Sequence, residues 1–187
     1  MAKAHDEAPD VDVPAWFDER EPRTANGMIR LGVALMADGD EDSGRKLLRQ
    51  AWIAGDFSRH DENAVYRRYR KLLTHADHVQ RLDRLLWEGR FSPARRALWR
   101  VNEEHRALGE ARLLLATMSG NVDSAIARVP DELKDHPGLV YERLRWRLRK
   151  GRYDSARTLL DHPNHDEGRP DKWWTQRAAL ARAALRE

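Results

Sequence analysis

The sequence contains no cysteine, so disulfides and thiolate metal sites are excluded. No apolar run approaches the roughly 20 residues needed to cross a bilayer as a helix. Met1 to Asp10 is polar and acidic without an apolar core, which is not the make-up of a secretory signal. An excess of charge of one sign is also missing: 34 basic against 31 acidic side chains leave +3. A dedicated nucleic-acid binder concentrates unopposed Lys and Arg, so the near balance argues against that class. The pI near 9.4 points only weakly to anionic partners. Phosphate-binding glycine patterns are absent. Gly39 to Gly44 followed by Arg45 has the outline of one, but Lys-Ser or Lys-Thr is lacking. Asp40, Glu41 and Asp42 would repel phosphate there, and a hairpin turn is the better reading. No Gly-x-Ser-x-Gly elbow occurs, and capping accounts for the serines at turns and helix starts.

What is present is helical periodicity. Val65, Tyr66, Tyr69, Leu72 and Leu73 share one helical face, as do Val79, Leu82, Leu85 and Leu86. Ala107, Leu108, Ala111, Leu114, Leu115 and Met118 form a third stripe, and Leu139, Val140, Leu144 and Leu148 a fourth. No segment alternates like a half-buried strand, so the expected class is all-α. Residues 1–22, with Pro9, Pro14 and Pro22 among acidic residues, read as an extended leader that Trp16 and Phe17 anchor; residues 23–187 read as one helical body.

The breakers repeat. Gly89-Arg90-Phe91-Ser92-Pro93-Ala94-Arg95 has the form of Gly151-Arg152-Tyr153-Asp154-Ser155-Ala156-Arg157. Gly120-Asn121-Val122-Asp123-Ser124-Ala125 lies between them, and Gly39 opens a looser copy. Gly89, Gly120 and Gly151 stand 31 residues apart, and the gap of 50 from Gly39 to Gly89 leaves room for one extra helix near residues 61–73. Each Gly is expected to end a helix in a left-handed conformation, the next apolar residue to plug the corner, and Ser92, Asp123 or Asp154 to cap the helix that follows, with Pro93 at its first position. Tetratricopeptide-type hairpins share this logic at a period near 34 residues, and such hairpins bury their apolar faces only by stacking. The expectation is therefore a right-handed α-superhelix, a solenoid of such hairpins.

Chemistry-bearing residues are few. His75, Asp77 and His78 form one small group and His162, His165 and Asp166 another, but neither has the spacing of a metal-binding helix; surface histidines near helix ends explain both. No cofactor or metal is expected. The arginines at Arg67, Arg68 and Arg70, at Arg95, Arg96 and Arg100, and at Arg143, Arg145, Arg147 and Arg149 read better as solvated faces paired with nearby acids than as a groove for an anionic polymer. Trp52, Trp87, Trp99 and Trp146 each follow an apolar stripe and read as core. Trp173 and Trp174 are adjacent, so they cannot face the same way on a helix, and one is expected to be open to a sugar ring or base.

Several of these segments resemble the soluble lytic murein transglycosylases. Arg81-Leu82-Asp83-Arg84-Leu85-Leu86-Trp87 preceded by His78 carries the likeness, as does Pro170-Asp171-Lys172-Trp173-Trp174-Thr175-Gln176-Arg177 with Ala181, Arg182, Ala184 and Leu185. Arg49, Trp52 and Phe57, and Pro137-Gly138-Leu139 with Glu142, Arg143 and Trp146, fit the same pattern. The resemblance runs from about residue 28 to the end and implies the non-catalytic superhelical domain of a periplasmic enzyme that cleaves peptidoglycan glycan strands. The lysozyme-like catalytic domain of that family works through a Glu-Ser motif; the chain has no Glu-Ser pair. It stops at Glu187 in what reads as unfinished helix, so the resemblance implies a fragment without an active site, inactive alone, whose partners are glycan strands and its own missing catalytic domain. A stacking face left open at that end would favour self-association. Glu110 and Glu142 read as ordinary helix-surface carboxylates with no catalytic role. Trp173, Trp174 and Arg177 are the residues expected to contact glycan or a partner. The alternative is a free-standing tetratricopeptide-like module that binds a peptide.

Overall fold

The computed structural model describes residues 22–160 and 169–185, and among them ten α-helices and two 3-10 turns account for the regular structure, with no strand. The helices are α1 (Ala25–Ala37), α2 (Glu41–Ala54), α3 (Arg59–Tyr69), α4 (His75–Trp87), α5 (Phe91–Ala97), α6 (Glu103–Thr117), α7 (Val122–Ala127), α8 (Pro137–Arg149), α9 (Tyr153–Leu160) and α10 (Pro170–Ala184). The all-α expectation holds, and α3 is the extra helix that the longer glycine gap leaves room for. The leader assigned to residues 1–22, with its Trp16 and Phe17 anchors, lies outside the described residues except for Pro22. So does the His162, His165 and Asp166 group.

Gly39, Gly89, Gly120 and Gly151 all have positive φ, between 69° and 94°. At three of them the hydrogen bonding is the same. Gly89 N–H donates to Leu86 O (3.1 Å) and Arg90 N–H to Leu85 O (2.8 Å); Gly39 with Asp40 and Gly151 with Arg152 repeat the pair. This two-bond motif closes a helix on a left-handed residue. The middle bend differs. There Met118 takes the left-handed position (φ 56°) and Ser119 N–H reaches back to Leu114 O, while Gly120 follows two residues later.

The caps correct the sequence reading by two positions, and Pro93 is the third residue of its helix, not the first. The helix after each bend begins at the apolar plug itself (Phe91, Val122, Tyr153), so its N-cap is the residue directly after the glycine. Asp40 and Asn121 fill that place and accept from the backbone of Ser43 and Ser124; Arg90 offers no side-chain cap. Ser92, Asp123 and Asp154 stand one step inside the helix. There the two aspartates still favour the positive end of the helix dipole, without capping it.

The chain divides into two compact units, Met1–Arg81 and Leu82–Glu187. In the first, α1 packs on α2 where two glycines meet: a Cβ on Gly44 would come within 2.5 Å of Gly32 O. Trp52 is fully buried and has Phe57, Tyr66 and His78 around its indole at 5.7–6.4 Å. In the second unit α8 packs against α6, α9 and α10. Leu108, Ala111 and Leu115 meet Val122, Ala125, Val129 and Leu139 in one cluster, and Trp87, Val140, Tyr141, Leu144, Ala156, Leu159 and Trp173 form the other. The fourth stripe and Leu108, Ala111, Leu114 and Leu115 of the third join these clusters, and Leu82, Leu85 and Leu86 of the second are buried, whereas Val65, Tyr66, Tyr69, Leu72 and Leu73 of the first are only half-buried. Trp99 is not in a core: it is 76% exposed, because the 3-10 turn Leu98–Arg100 breaks the periodicity that assigned it inward.

Candidate functional site

Two buried arginines organise the two units. Arg81, 1% exposed, lies over the Trp52 ring (4.6 Å) and the Phe57 ring (5.3 Å). It donates to the carbonyls of Trp52 (2.5 Å) and Gly55 (2.7 Å), which the end of α2 leaves without helical partners, and stands 3.9 Å from the buried Glu62 carboxylate. Arg112, 2% exposed, donates to Asp83 Oδ1 at 2.5 Å with its guanidinium 5.4 Å from the Trp87 ring. Gly138 makes this possible, since a Cβ there would fall on the guanidinium, within 2.6 Å of Nε. Arg81 and Arg112 are 31 residues apart, each eight before a bend glycine. The arginine register thus follows the glycine register.

Beside Arg112 the second unit opens a cleft of about 500 Å³. Its walls come from Trp87 and Phe91, from Tyr141, Glu142 and Arg145 on α8, and from Lys172, Gln176 and Ala179 on one face of α10. Trp87 and Tyr141 rings lie 5.0 Å apart and form an aromatic side. Burial pushes the Tyr141 phenol up, so it remains a neutral donor and acceptor.

Glu142 corrects an expectation. It is 4% exposed, not a surface residue, and both of its oxygens accept from Arg145 Nη1 (3.0 and 2.8 Å). Burial pushes its carboxyl above the usual range, while Arg145, Arg112 and Arg149 pull it back. A carboxylate already held this way neutralises its neighbours; it is not placed as a free proton shuttle. Glu110 lies 3.7 Å from Arg128 at the surface.

The residues expected to touch a ligand are placed apart. Trp173 is fully buried, edge-on to Tyr141 at 5.3 Å, and a ring without exposed surface offers nothing to a sugar. Trp174 is 70% exposed, as the one-in, one-out argument requires. Arg177 is half-buried. None of the three lines the cleft; Lys172 and Gln176 do, because a face spaced by four residues skips positions 173, 174 and 177.

The first histidine group has other work. Thr74 Oγ1 accepts from Asp77 N–H while Asp77 Oδ2 accepts from Thr74 N–H (2.6 Å), a reciprocal cap at the start of α4. Asp77 also accepts twice from Arg49 Nε (3.0 and 2.9 Å), and burial, which would raise its carboxyl, is outweighed by these bonds, so it sits below its usual value. His78 Nδ1 accepts from the Trp52 indole at 3.2 Å. Among the described residues no three His, Asp or Glu side chains gather as a metal would need, and no helix is long and apolar enough to cross a membrane. Set against protein-family models, curated proteins and solved structures, the chain matches none.

Proposed function

We infer that the chain is a non-catalytic scaffold of tetratricopeptide-like hairpins piled into a right-handed superhelix, and that it holds glycan. This is the part played by the superhelical domain of the soluble lytic murein transglycosylases, which would put it in the periplasm against peptidoglycan. The repeated left-handed bends support the hairpin stack. The observation that carries the glycan reading is the cleft: an aromatic side at Trp87 and Tyr141 flanked by the planar and cationic groups of Gln176, Arg145 and Lys172. Sugars present apolar ring faces edged with hydroxyls, and such a mixed wall suits both.

The test is co-sedimentation with purified peptidoglycan sacculi across a salt series. The expected result is retention at high salt, where surface charges are screened within a few ångströms. Replacing Lys172 and Gln176 together by alanine should weaken it by roughly tenfold, the equivalent of one to two hydrogen bonds. Retention that vanishes near 0.15 M salt, about where the screening length is 8 Å, would reduce it to nonspecific charge attraction. No anhydromuropeptide should appear above a blank.

A second reading has its own support. Trp99 and Trp174 are large, exposed aromatics of the kind that anchor protein interfaces. Tight binding of a peptide with no affinity for sacculi would favour an interaction module instead.

A further inference from the structure

The arginine register has a third member. Arg143 follows Arg112 by 31 residues and precedes Gly151 by eight, the placement of Arg81 and Arg112 before their glycines. The first two are buried with a carboxylate in reach, Glu62 for Arg81 and Asp83 for Arg112. Arg143 is half-buried, and it makes no hydrogen bond or ion pair with any described residue. It faces a separate cleft of about 360 Å³.

That cleft concentrates positive charge. Arg143, Arg147, Arg152 and Lys134 line it against one carboxylate, Asp123, and the floor is apolar, with Trp146 and Ile126. Lys134 is already paired with Asp131 (2.5 Å). Arg147 donates to Ser155 O, and Arg152 lies over the Trp146 ring at 5.0 Å, so two of the guanidiniums are held in place. None of the three arginines has a carboxylate within 4.0 Å among the described residues. Burial and then the charges of Arg143 and Arg152 hold the Arg147 pKa below its usual value. Like charges gathered in a concave, partly apolar site repel one another, and a bound anion would relieve that repulsion.

We propose that this cleft is a binding site for a phosphate monoester with an apolar or aromatic body, whose phosphate meets Arg143, Arg147 and Arg152 and whose body lies against Trp146. A phosphate monoester brings about −2 charge and three acceptor oxygens, which matches three guanidiniums better than a carboxylate does. A volume near 360 Å³ is that of a small-molecule site. The site involves only the second unit and does not rest on the glycan reading.

The test is isothermal titration calorimetry of the full chain with phenyl phosphate, inorganic phosphate and benzoate. Phenyl phosphate should bind saturably and more tightly than either of the others. Arg143→Gln should weaken it at least about tenfold, the loss of one charge-assisted hydrogen bond. Arg152→Gln, at an exposed position, should do the same, so the result does not hang on one variant. Trp146→Leu should weaken phenyl phosphate and leave inorganic phosphate unchanged. Without ligand, Arg143→Gln should keep or raise the melting midpoint, since removing a repelled charge relieves the cluster; an arginine with a merely structural role would lower it. The proposal is overturned if phenyl phosphate gives no saturable heat, if both arginine variants bind it as the parent does, or if the exposed control Arg95→Gln weakens it equally.

Discussion

Replacing Arg112 by alanine should lower the unfolding free energy by about 3 kcal/mol or more, the usual cost of breaking a buried charge network on one side. The side chain is 2% exposed, fills the space over Gly138 and beside Trp87, and supplies positive charge to Asp83 and to the buried Glu142. Alanine would leave a void and one cation fewer around a carboxylate that has little access to water. Arg112→Met keeps most of the volume and loses only the charge and its hydrogen bonds, so its smaller cost separates packing from electrostatics. Arg112→Lys should not restore stability, because a point charge cannot lie flat between Trp87 and Gly138 as the planar group does. Denaturant unfolding followed by far-UV circular dichroism reads all three. The exposed Arg95→Ala is the control and should fall within about 0.5 kcal/mol of the parent. A loss under about 1 kcal/mol at Arg112 would mean the arginine is a bystander.

The second large effect is a loss of stability on mild acidification, set by His136. This histidine is the N-cap of α8: its Nδ1 accepts from Gly138 N–H at 3.1 Å, while Nε2 lies 3.9 Å from Asp83. Only neutral imidazole with its proton on Nε2 can do this. Burial holds the pKa down to about 4 against the usual 6.5, with Arg112 and His105 pushing the same way and Asp83 opposing. The folded value lies below the unfolded one, so the contribution is complete above about pH 6.5 and is lost as pH falls toward 4. Between pH 7 and pH 5 the unfolded chain takes up a proton that the folded chain refuses, and the cost is about 1–2 kcal/mol. Glu142 runs the other way: its raised pKa means that protonation at low pH relieves a buried charge. Parent and variant share that opposing slope, so their difference isolates the histidine. Asn caps helices without titrating, so His136→Asn should flatten the acid limb while keeping the stability at pH 7 nearly intact. Identical pH profiles for the two proteins would refute the assignment.

The fold was legible wherever a local rule decides the conformation. A left-handed residue strongly prefers glycine, so the bends at Gly39, Gly89 and Gly151 could be read directly from their glycines and the similar residues that follow each. Met118 shows the limit: nothing in a methionine signals that it will take the left-handed position ahead of Gly120. The caps slipped by two residues because an apolar plug at the first helical position looks the same from sequence as one in the turn. Arg81 and Arg112 were missed for a different reason. Arginine is normally a surface residue, and composition places it there. The signal that would have found them was their 31-residue spacing, eight residues ahead of the bend glycines. Glu142 followed them inward, because a buried cation draws a carboxylate with it. The α10 face of the cleft could not be read at all, since Lys172 and Gln176 meet α8 only through tertiary packing, whereas the double tryptophan beside them is the conspicuous feature of the sequence.

The measurement closest to the core of this account is the stability of single glycine variants at Gly39, Gly89 and Gly151. At Gly39 and Gly151 an added Cβ would meet nothing within 4 Å, and at Gly89 only the Phe91 ring edge at 3.9 Å, so any cost there is backbone strain and not crowding. If one bend is built three times, alanine should cost about 1–2 kcal/mol at each of the three. Asparagine, which tolerates the left-handed region, should cost clearly less. Three neutral alanine variants, or a penalty confined to one site, would contradict the repeated hairpin.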